Sequence, residues 1–230
     1  MELATLKRNL EDNGFAIISR VLTDDRLAPV EQELIDSSSH RGRAGIRHAL
    51  KLSSIAALAG ESPLVDLARG VLGEQAFPYR ATVFEKTAAA NWLVVWHQGT
   101  ALPLRNRKDA PGWGPWSVKD RVTYAHAPSF ALQQVLALRV HLDNTDSDNG
   151  PLRVLPETHT LGVLSYDAIH ELSQRVKPVD CLVPKGGILA MRPLIVHASS
   201  KCESRSRRRV LHIEYAGCES FGDNLQIAIT

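Results

Sequence analysis

The sequence has few cysteines and no long apolar run. It contains three cysteines in 230 residues, Cys181, Cys202 and Cys218, an odd number without the short CxxC spacing of zinc or redox sites. We therefore expect free thiols in a reducing compartment. No apolar run approaches the roughly 20 residues that cross a bilayer, and residues 1–10 do not have the pattern of a signal peptide. The expectation is a cytoplasmic protein without a membrane partner.

An excess of charge of one sign is also lacking. The chain has 27 Lys and Arg against 25 Asp and Glu, a net charge of +2. This balance gives no reason to expect a nucleic-acid partner. The basic residues do cluster, at Arg105–Lys108 and Arg205–Arg209, and the first cluster is most simply a solvated face. The length suits one domain spanning residues 1–230; the sequence does not fix an oligomeric state.

The residue pattern changes near residue 75, from helical to strand-like. Residues 1–75 have helical character, as in the spacing of Leu3, Leu6 and Leu10, with one short strand expected at Phe15–Ile18. Residues 76–230 contain short runs rich in β-branched and aromatic residues, separated by turn residues, which is typical of an all-β sandwich or barrel. The strands are predicted at residues 81–85, 92–97, 135–142, 152–155, 187–191, 195–198 and 209–215, with one helix at 165–175. We expect a mainly β core with helices packed outside it.

The segment from about residue 99 to 131 has no clear periodicity and is rich in proline and glycine. A loop of this length inside a compact domain is often functional. We therefore predict a lid, in which Trp113 and Trp116 cover a substrate and His126 is a further candidate substrate contact.

Two histidines and an arginine form a pattern with a chemical rationale. His97 ends a predicted strand, His197 lies in another strand one hundred residues later, and Arg208 follows after eleven more residues. Iron(II) accepts imidazole nitrogen and keeps open positions for an oxo-acid and dioxygen. An arginine can hold the far carboxylate of such an acid through two parallel hydrogen bonds. A single histidine in a strand is more often structural, so the evidence for a metal site comes from the three residues together.

The sequence resembles the phytanoyl-CoA dioxygenase family, in particular its small bacterial members. The resemblance covers nearly the whole chain and is carried by Phe84-Glu-Lys-Thr87, Ala90-Asn-Trp92, Trp96-His-Gln98, Gly114-Pro-Trp-Ser-Val-Lys119, Asn149-Gly-Pro-Leu-Arg-Val-Leu-Pro156, Gly186-Gly187, Met191-Arg-Pro193, His197-Ala-Ser-Ser200 and Arg208-Arg-Val-Leu-His212. It implies a double-stranded β-helix (a jelly roll, cupin-like) with flanking N-terminal helices. It also implies an oxidoreductase that uses Fe(II), 2-oxoglutarate and O2 on a small molecule.

The resemblance assigns roles to particular residues. His97 and His197 would be iron ligands, and Arg208 would bind the far carboxylate of 2-oxoglutarate. Lys86 and Ser199 are further candidate contacts to this co-substrate. If the phase of the last strand is off by one residue, Arg207 or Arg209 would replace Arg208.

The sequence departs from the family at one decisive position. The family motif is His-x-Asp, whose aspartate completes a triad of two histidines and one carboxylate, but here the segment is His97-Gln98-Gly99. One interpretation is a halogenase, in which chloride or bromide fills the space beside the iron and restores the lost negative charge. A second is a hydroxylase with water or a mobile carboxylate in the gap, and a third is a degenerate or engineered variant with little activity. The carboxylates considered for the second are Asp109, Asp120, Asp146 and Asp148.

Other residues allow weaker inferences. Arg139 and His141 share one face of a strand by the period of two, so they line the substrate pocket or complete a buried polar network. Arg105 and the arginines of residues 41–47 hint at an anionic substrate. A protein of another class also fits the sequence, namely a non-catalytic cupin-like module that holds a different metal through His97 and His197.

Overall fold

The computed structural model describes residues 1–37, 45–87, 90–203, 206–222 and 224–230. The helices are α1 (Leu3–Asp12), α2 (Asp24–Asp36), α3 (Ser53–Gly60), α4 (Leu64–Leu72), α5 (Ser129–Leu132) and α6 (Tyr166–Arg175). The strands are β1 (Phe15–Ile18), β2 (Gly45–Arg47), β3 (Phe77–Lys86), β4 (Val94–His97), β5 (Ala101–Leu104), β6 (Trp116–Lys119), β7 (Val122–His126), β8 (Val135–His141), β9 (Leu152–Leu155), β10 (Val179–Cys181), β11 (Ile188–Met191), β12 (Val196–Ser199) and β13 (Arg208–Ala216).

Two antiparallel sheets form the core. The larger has the strand order β1-β11-β8-β13-β3-β2, and the smaller has the order β10-β9-β12-β4. Apolar side chains fill the space between them: Ala137 and Leu189 of the larger sheet belong to one buried cluster with Leu152, Val154 and Cys181 of the smaller. The chain is therefore mainly β, and its fold is the expected double-stranded β-helix.

The N-terminal helices cover the outer face of the larger sheet. Leu6 of α1, Leu27 of α2 and Ile55 of α3 are fully buried in one cluster with Leu138 of β8 and Leu211 of β13. Since side chains alternate along a strand, β8 is buried on both faces, towards the helices on one side and towards the interior on the other. None of the helices in the described ranges is long and apolar enough to cross a membrane.

The expected lid segment has regular structure, which corrects the prediction of an aperiodic loop. Strands β5, β7 and β6 form a three-stranded antiparallel sheet, followed by the short helix α5. Asp120 and Arg121 join β6 to β7 with positive φ angles of 49° and 66°, the backbone of a two-residue hairpin turn. The strands are short and β5 contains Pro103, which weakens the strand pattern in the sequence.

Candidate metal centre and substrate cavity

His97 and His197 are neighbours across the smaller sheet. They are register partners in the antiparallel pair β4 and β12, and their ring centroids lie 4.2 Å apart with the ring planes at 52°. Both rings line the same interior cavity. The sequence-predicted pair is therefore brought together, although the two residues are far apart in the chain.

Backbone carbonyls orient both rings. The Nδ1 atom of His97 lies 2.9 Å from the oxygen of Val95, and the Nδ1 atom of His197 lies 2.9 Å from the oxygen of Ile195. A carbonyl only accepts, so each Nδ1 carries the proton and each Nε2 keeps a free lone pair. Such outer hydrogen bonds are typical of histidines that bind metals. Burial and the neighbouring His97 hold the pKa of His197 well below its usual range, which favours the neutral form that a metal needs.

Gly99 lies beside this pair and also lines the cavity. Its amide donates to the oxygen of Pro193 at 2.9 Å, and a Cβ atom built on it would lie 3.4 Å from that oxygen, an ordinary contact. Position 99 thus has room for a side chain that the sequence does not supply. Within the described ranges, no group of three His, Cys, Asp or Glu side chains is arranged to hold a metal. The described residues therefore offer two imidazoles at this point and no carboxylate as a third candidate ligand.

A second cavity, of about 120 Å³, extends from the histidine pair to Arg208. The side chain of Arg208 is 3% exposed and donates through Nε to the oxygen of Asn149 at 3.1 Å. No carboxylate of the described chain forms an ion pair with it. Burial lowers the pKa of this guanidinium to about 10; the group is still cationic at neutral pH. A buried cation that faces a cavity without a protein counter-ion is suited to an anionic ligand.

Lys86 and Ser199 line the same cavity and are bonded to each other. The ammonium of Lys86 donates to Ser199 Oγ at 2.7 Å and also to the oxygen of Ser200, while Ser199 Oγ donates to the oxygen of Gly150 at 2.9 Å. Burial and the nearby Arg208 lower the pKa of Lys86 to about 8. All three residues predicted to contact the co-substrate therefore surround one small cationic pocket.

The alternation of side chains along β13 points Arg208, and not Arg207 or Arg209, into the small cavity. Arg209 lies on the opposite face, where its guanidinium donates to Asp143 at 2.8 and 2.9 Å and to Glu31 at 2.7 Å. Arg207 is half exposed and lies 3.8 Å from Asp143. Neither Arg207 nor Arg209 lines the cavity that contains Arg208.

The larger cavity has a volume of about 270 Å³ and opens on the other side of the histidine pair. Arg139 lines both cavities and donates to Nδ1 of His212 at 3.2 Å. Glu214 also lines this cavity, and its carboxylate accepts hydrogen bonds from Arg80 Nε and from the hydroxyl of Tyr79. Burial opposes ionisation of Glu214, but Arg80 and His212 outweigh burial and hold its pKa well below the usual range. Glu214 is therefore a carboxylate fixed by its own cationic partner.

Four residues predicted as candidate substrate contacts do not reach the described cavities. His126 is exposed and hydrogen-bonds to Thr100 at 2.6 Å, while Trp113 packs near Phe221 and Trp116 near Arg107. His141 is buried and bonded to Thr145 at 2.7 Å. These side chains are used for packing and internal hydrogen bonds; only Arg139 of the candidate substrate contacts lines the cavity. Residues 41–44 of the arginine-rich loop lie outside the described residues.

Sequence reasoning missed several cavity residues. Arg80, Thr82 and Phe84 face the cavity from β3, and their spacing of two, continued by Lys86, was the available signal. His48 and Lys119 also line the larger cavity, but His48 follows the three-residue strand β2 and Lys119 ends the four-residue strand β6. Strands this short do not show a clear alternation of apolar and polar residues, so the sequence does not indicate which side chains face inward.

Comparison with known proteins places the chain among oxygenases. The family model described as "Phytanoyl-CoA dioxygenase (PhyH)" matches residues 10–210. A curated protein, L-proline trans-4-hydroxylase of Streptomyces griseoviridis, is 27% identical over 178 residues, which are 66% of this chain and 59% of the relative. The match thus spans less than two thirds of that protein's length.

Solved structures share the fold at low sequence identity. AviO1 from Streptomyces viridochromogenes Tue57 has a TM-score of 0.70 and 18% identity, with 98% of each chain covered. The epimerase SnoN, solved in complex with Fe3+, alpha ketoglutarate and nogalamycin RO, has a TM-score of 0.72 and 15% identity, with 99% of this chain and 95% of SnoN covered.

Proposed function

Because this chain belongs to the phytanoyl-CoA dioxygenase family, we propose that it is a non-haem Fe(II), 2-oxoglutarate-dependent oxidoreductase that modifies a C–H bond of a small molecule. The observation that carries the proposal is the pair His97 and His197, oriented by backbone carbonyls at the junction of two cavities.

The residues present fit iron and its oxo-acid partner. His97 and His197 would hold the metal through Nε2, the atoms that their backbone hydrogen bonds leave free. Iron(II) with 2-oxoglutarate and dioxygen supplies the oxidising power that breaks a C–H bond. Arg208 would hold the far carboxylate of 2-oxoglutarate, since its guanidinium faces the small cavity without a protein carboxylate within the described ranges. Lys86 would add a second positive charge, and Ser199 would orient Lys86 through their 2.7 Å hydrogen bond.

For the reaction itself we favour halogenation. Gly99 leaves the place of the family's carboxylate open, and chloride or bromide restores the negative charge that the missing aspartate would supply. The overall reaction is R–H + 2-oxoglutarate + O2 + Cl⁻ + H⁺ → R–Cl + succinate + CO2 + H2O. Of the four aspartates considered as mobile replacements, none lines the cavity. Glu214 does line it, but Arg80 already neutralises this carboxylate.

The second candidate is hydroxylation, favoured by the similarity to L-proline trans-4-hydroxylase. Here water would occupy the position beside Gly99, and the overall reaction is R–H + 2-oxoglutarate + O2 → R–OH + succinate + CO2. The two candidates share every residue proposed above and differ only in what fills one position.

The first experiment tests the oxygenase assignment without a substrate. Fe(II) is added anaerobically to the protein with 2-oxoglutarate, and the visible charge-transfer band of the joint complex is followed. The band is expected for the wild-type protein and should be absent from His197→Ala. If the wild-type protein gives no band and binds zinc tightly instead, a non-catalytic metal-binding module is the better description.

The second experiment separates the two reactions. A metabolite extract is turned over under ¹⁸O2 with and without chloride, and products are followed by mass spectrometry. Halogenation predicts products with the chlorine isotope pattern that form only with chloride. Products that carry ¹⁸O and form equally well without halide would support hydroxylation and eliminate the halogenase proposal.

A further inference from the structure

The larger cavity has an unbalanced charge. Of the described residues that line it, four are Lys or Arg (Arg47, Arg80, Lys119 and Arg139) and one, Glu214, is acidic. Glu214 is already paired with Arg80, and Arg139 lies at the junction with the co-substrate cavity. Arg47 and Lys119 therefore remain as the cations available to a ligand at the outer end.

His48 lines the same cavity as these two cations and is in an unusual state. Its side chain is more than nine-tenths buried, and neither ring nitrogen has a hydrogen-bond partner within the described ranges. Its backbone has φ +54°, a left-handed conformation that a non-glycine residue adopts at a cost and often at a functional site. Burying an unpartnered imidazole is unfavourable, so a ligand that supplies the missing partner would be favoured at this place.

Burial and the nearby Lys51 lower the pKa of His48, and Arg47 acts in the same direction against Asp120. His48 is thus neutral at physiological pH, with one ring nitrogen as donor and the other as acceptor. Such a ring can donate one hydrogen bond to an oxygen of a ligand without adding charge.

The existing counter-ion of this region is weakly held. Asp120, in the β6–β7 turn, lies 3.6 Å from Arg47 and 3.7 Å from His48 Nε2, and it is more than half exposed. Exposed pairs of this kind contribute little stability. A ligand anion can therefore replace Asp120 at low cost.

We propose that the outer end of the larger cavity binds a carboxylate or phosphate group of the substrate, with Arg47 and Lys119 as its cationic partners and His48 as a hydrogen-bond donor. This inference rests on the proposed function and narrows the substrate to a small anionic molecule. The cavity volume of about 270 Å³ is below the roughly 300–1,000 Å³ common for ligand pockets, which agrees with a small substrate. The anion would anchor one end while the histidine pair lines the other part of the same cavity.

Inorganic phosphate and acetate serve as the probes. Each is titrated at constant ionic strength into ¹⁵N-labelled full-length protein saturated with 2-oxoglutarate, and amide resonances are followed by NMR. We expect saturable shifts of the signals of Arg47, His48 and Lys119 with at least one anion. Phosphate alone would identify a phosphate-bearing substrate, acetate alone a carboxylate, and both would indicate a site that accepts either anion.

Variants test the named residues. The double variant Arg47→Gln/Lys119→Gln should weaken binding at least fivefold, whereas Arg69→Gln/Lys177→Gln, which removes two exposed charges outside the cavity, should bind like the wild type. His48→Asn keeps a donor and an acceptor and tolerates the left-handed backbone, so it should bind more tightly than His48→Leu.

The proposal is overturned if neither anion shifts these signals, or if the Arg47→Gln/Lys119→Gln protein binds both anions like the wild type. The same spectra test the proposed function separately, through the response of residues 206–210 to 2-oxoglutarate. If 2-oxoglutarate itself leaves the signals of residues 206–210 unchanged, the co-substrate pocket is wrong, whatever phosphate and acetate do.

Discussion

His97 and His197 are register partners in adjacent antiparallel strands, and their rings lie 4.2 Å apart between centroids. The sheet therefore fixes the distance between two side chains that are separated by one hundred residues in the chain. The backbone carbonyls of Val95 and Ile195 fix the direction of each ring. A pair held in this way is preorganised, which would reduce the ordering cost of binding the proposed metal.

The first prediction concerns these ligands. His97→Ala or His197→Ala should weaken Fe(II) binding by at least about 100-fold, because loss of even an outer hydrogen-bonding partner of a metal ligand weakens affinity by roughly 10- to 100-fold. Anaerobic calorimetric titration with Fe(II) measures this. His126→Ala is the control, since His126 is exposed and its ring contacts the hydroxyl of Thr100, away from the histidine pair. Equal iron affinity in His197→Ala and His126→Ala would contradict the proposed metal centre.

The second prediction concerns Arg208. Arg208→Gln should raise the dissociation constant of 2-oxoglutarate by about 10- to 150-fold, since hydrogen bonds to charged groups contribute roughly 1.5–3 kcal/mol. Arg208→Lys should be intermediate, because lysine keeps the charge but not the two-pronged geometry. Calorimetry with 2-oxoglutarate provides the constants, and an unchanged constant in Arg208→Gln would exclude Arg208 as the anchor.

The third prediction uses the adjacent Arg209 as a contrast. Arg209 is 4% exposed and its guanidinium binds the partly buried carboxylates of Asp143 and Glu31. Arg209→Gln should therefore lower the free energy of unfolding by about 1.5–3 kcal/mol, because hydrogen bonds to charged groups contribute roughly this much. Folded Arg209→Gln should still bind 2-oxoglutarate like the wild type. Denaturant unfolding measures the first effect and calorimetry with 2-oxoglutarate the second. If Arg209→Gln lost 2-oxoglutarate binding and Arg208→Gln kept it, Arg209 rather than Arg208 would face the co-substrate cavity.

Much of this arrangement could be predicted from the sequence, and the exceptions have a physical cause. Strand β13 is long enough for its alternation to place Arg208 inside and Arg209 outside. The three-stranded sheet of β5, β6 and β7 was missed, since strands of four or five residues carry little periodic signal and β5 also contains Pro103. His48 gave no signal at all, because its burial depends on packing between segments remote in sequence.

The fourth prediction follows from Glu214. Because its folded pKa is depressed, the stability it contributes is fully present above the unfolded pKa of about 4.3 and is lost as pH falls through the lower folded pKa. The wild type should therefore exceed Glu214→Gln in unfolding free energy by about 3 kcal/mol at pH 6–8, with the difference shrinking below about pH 4.3. Denaturant unfolding across this range measures it. A difference that grows on acidification would contradict the ion pair with Arg80.

The last prediction concerns Gly99. A side chain is sterically possible there, because among the described residues a Cβ atom would meet only the oxygen and Cα of Pro193, at 3.4 and 3.9 Å. Gly99→Asp should raise Fe(II) affinity by supplying a third ligand and should shift products from halogenated to hydroxylated, because the carboxylate takes the place proposed for the halide. Gly99→Ala is the matched control: it adds the same Cβ without a ligand, so it should keep the wild-type ratio of products. Mass spectrometry of products formed with chloride and ¹⁸O2 measures the ratio. If Gly99→Asp still halogenates like Gly99→Ala, the halide does not bind beside position 99.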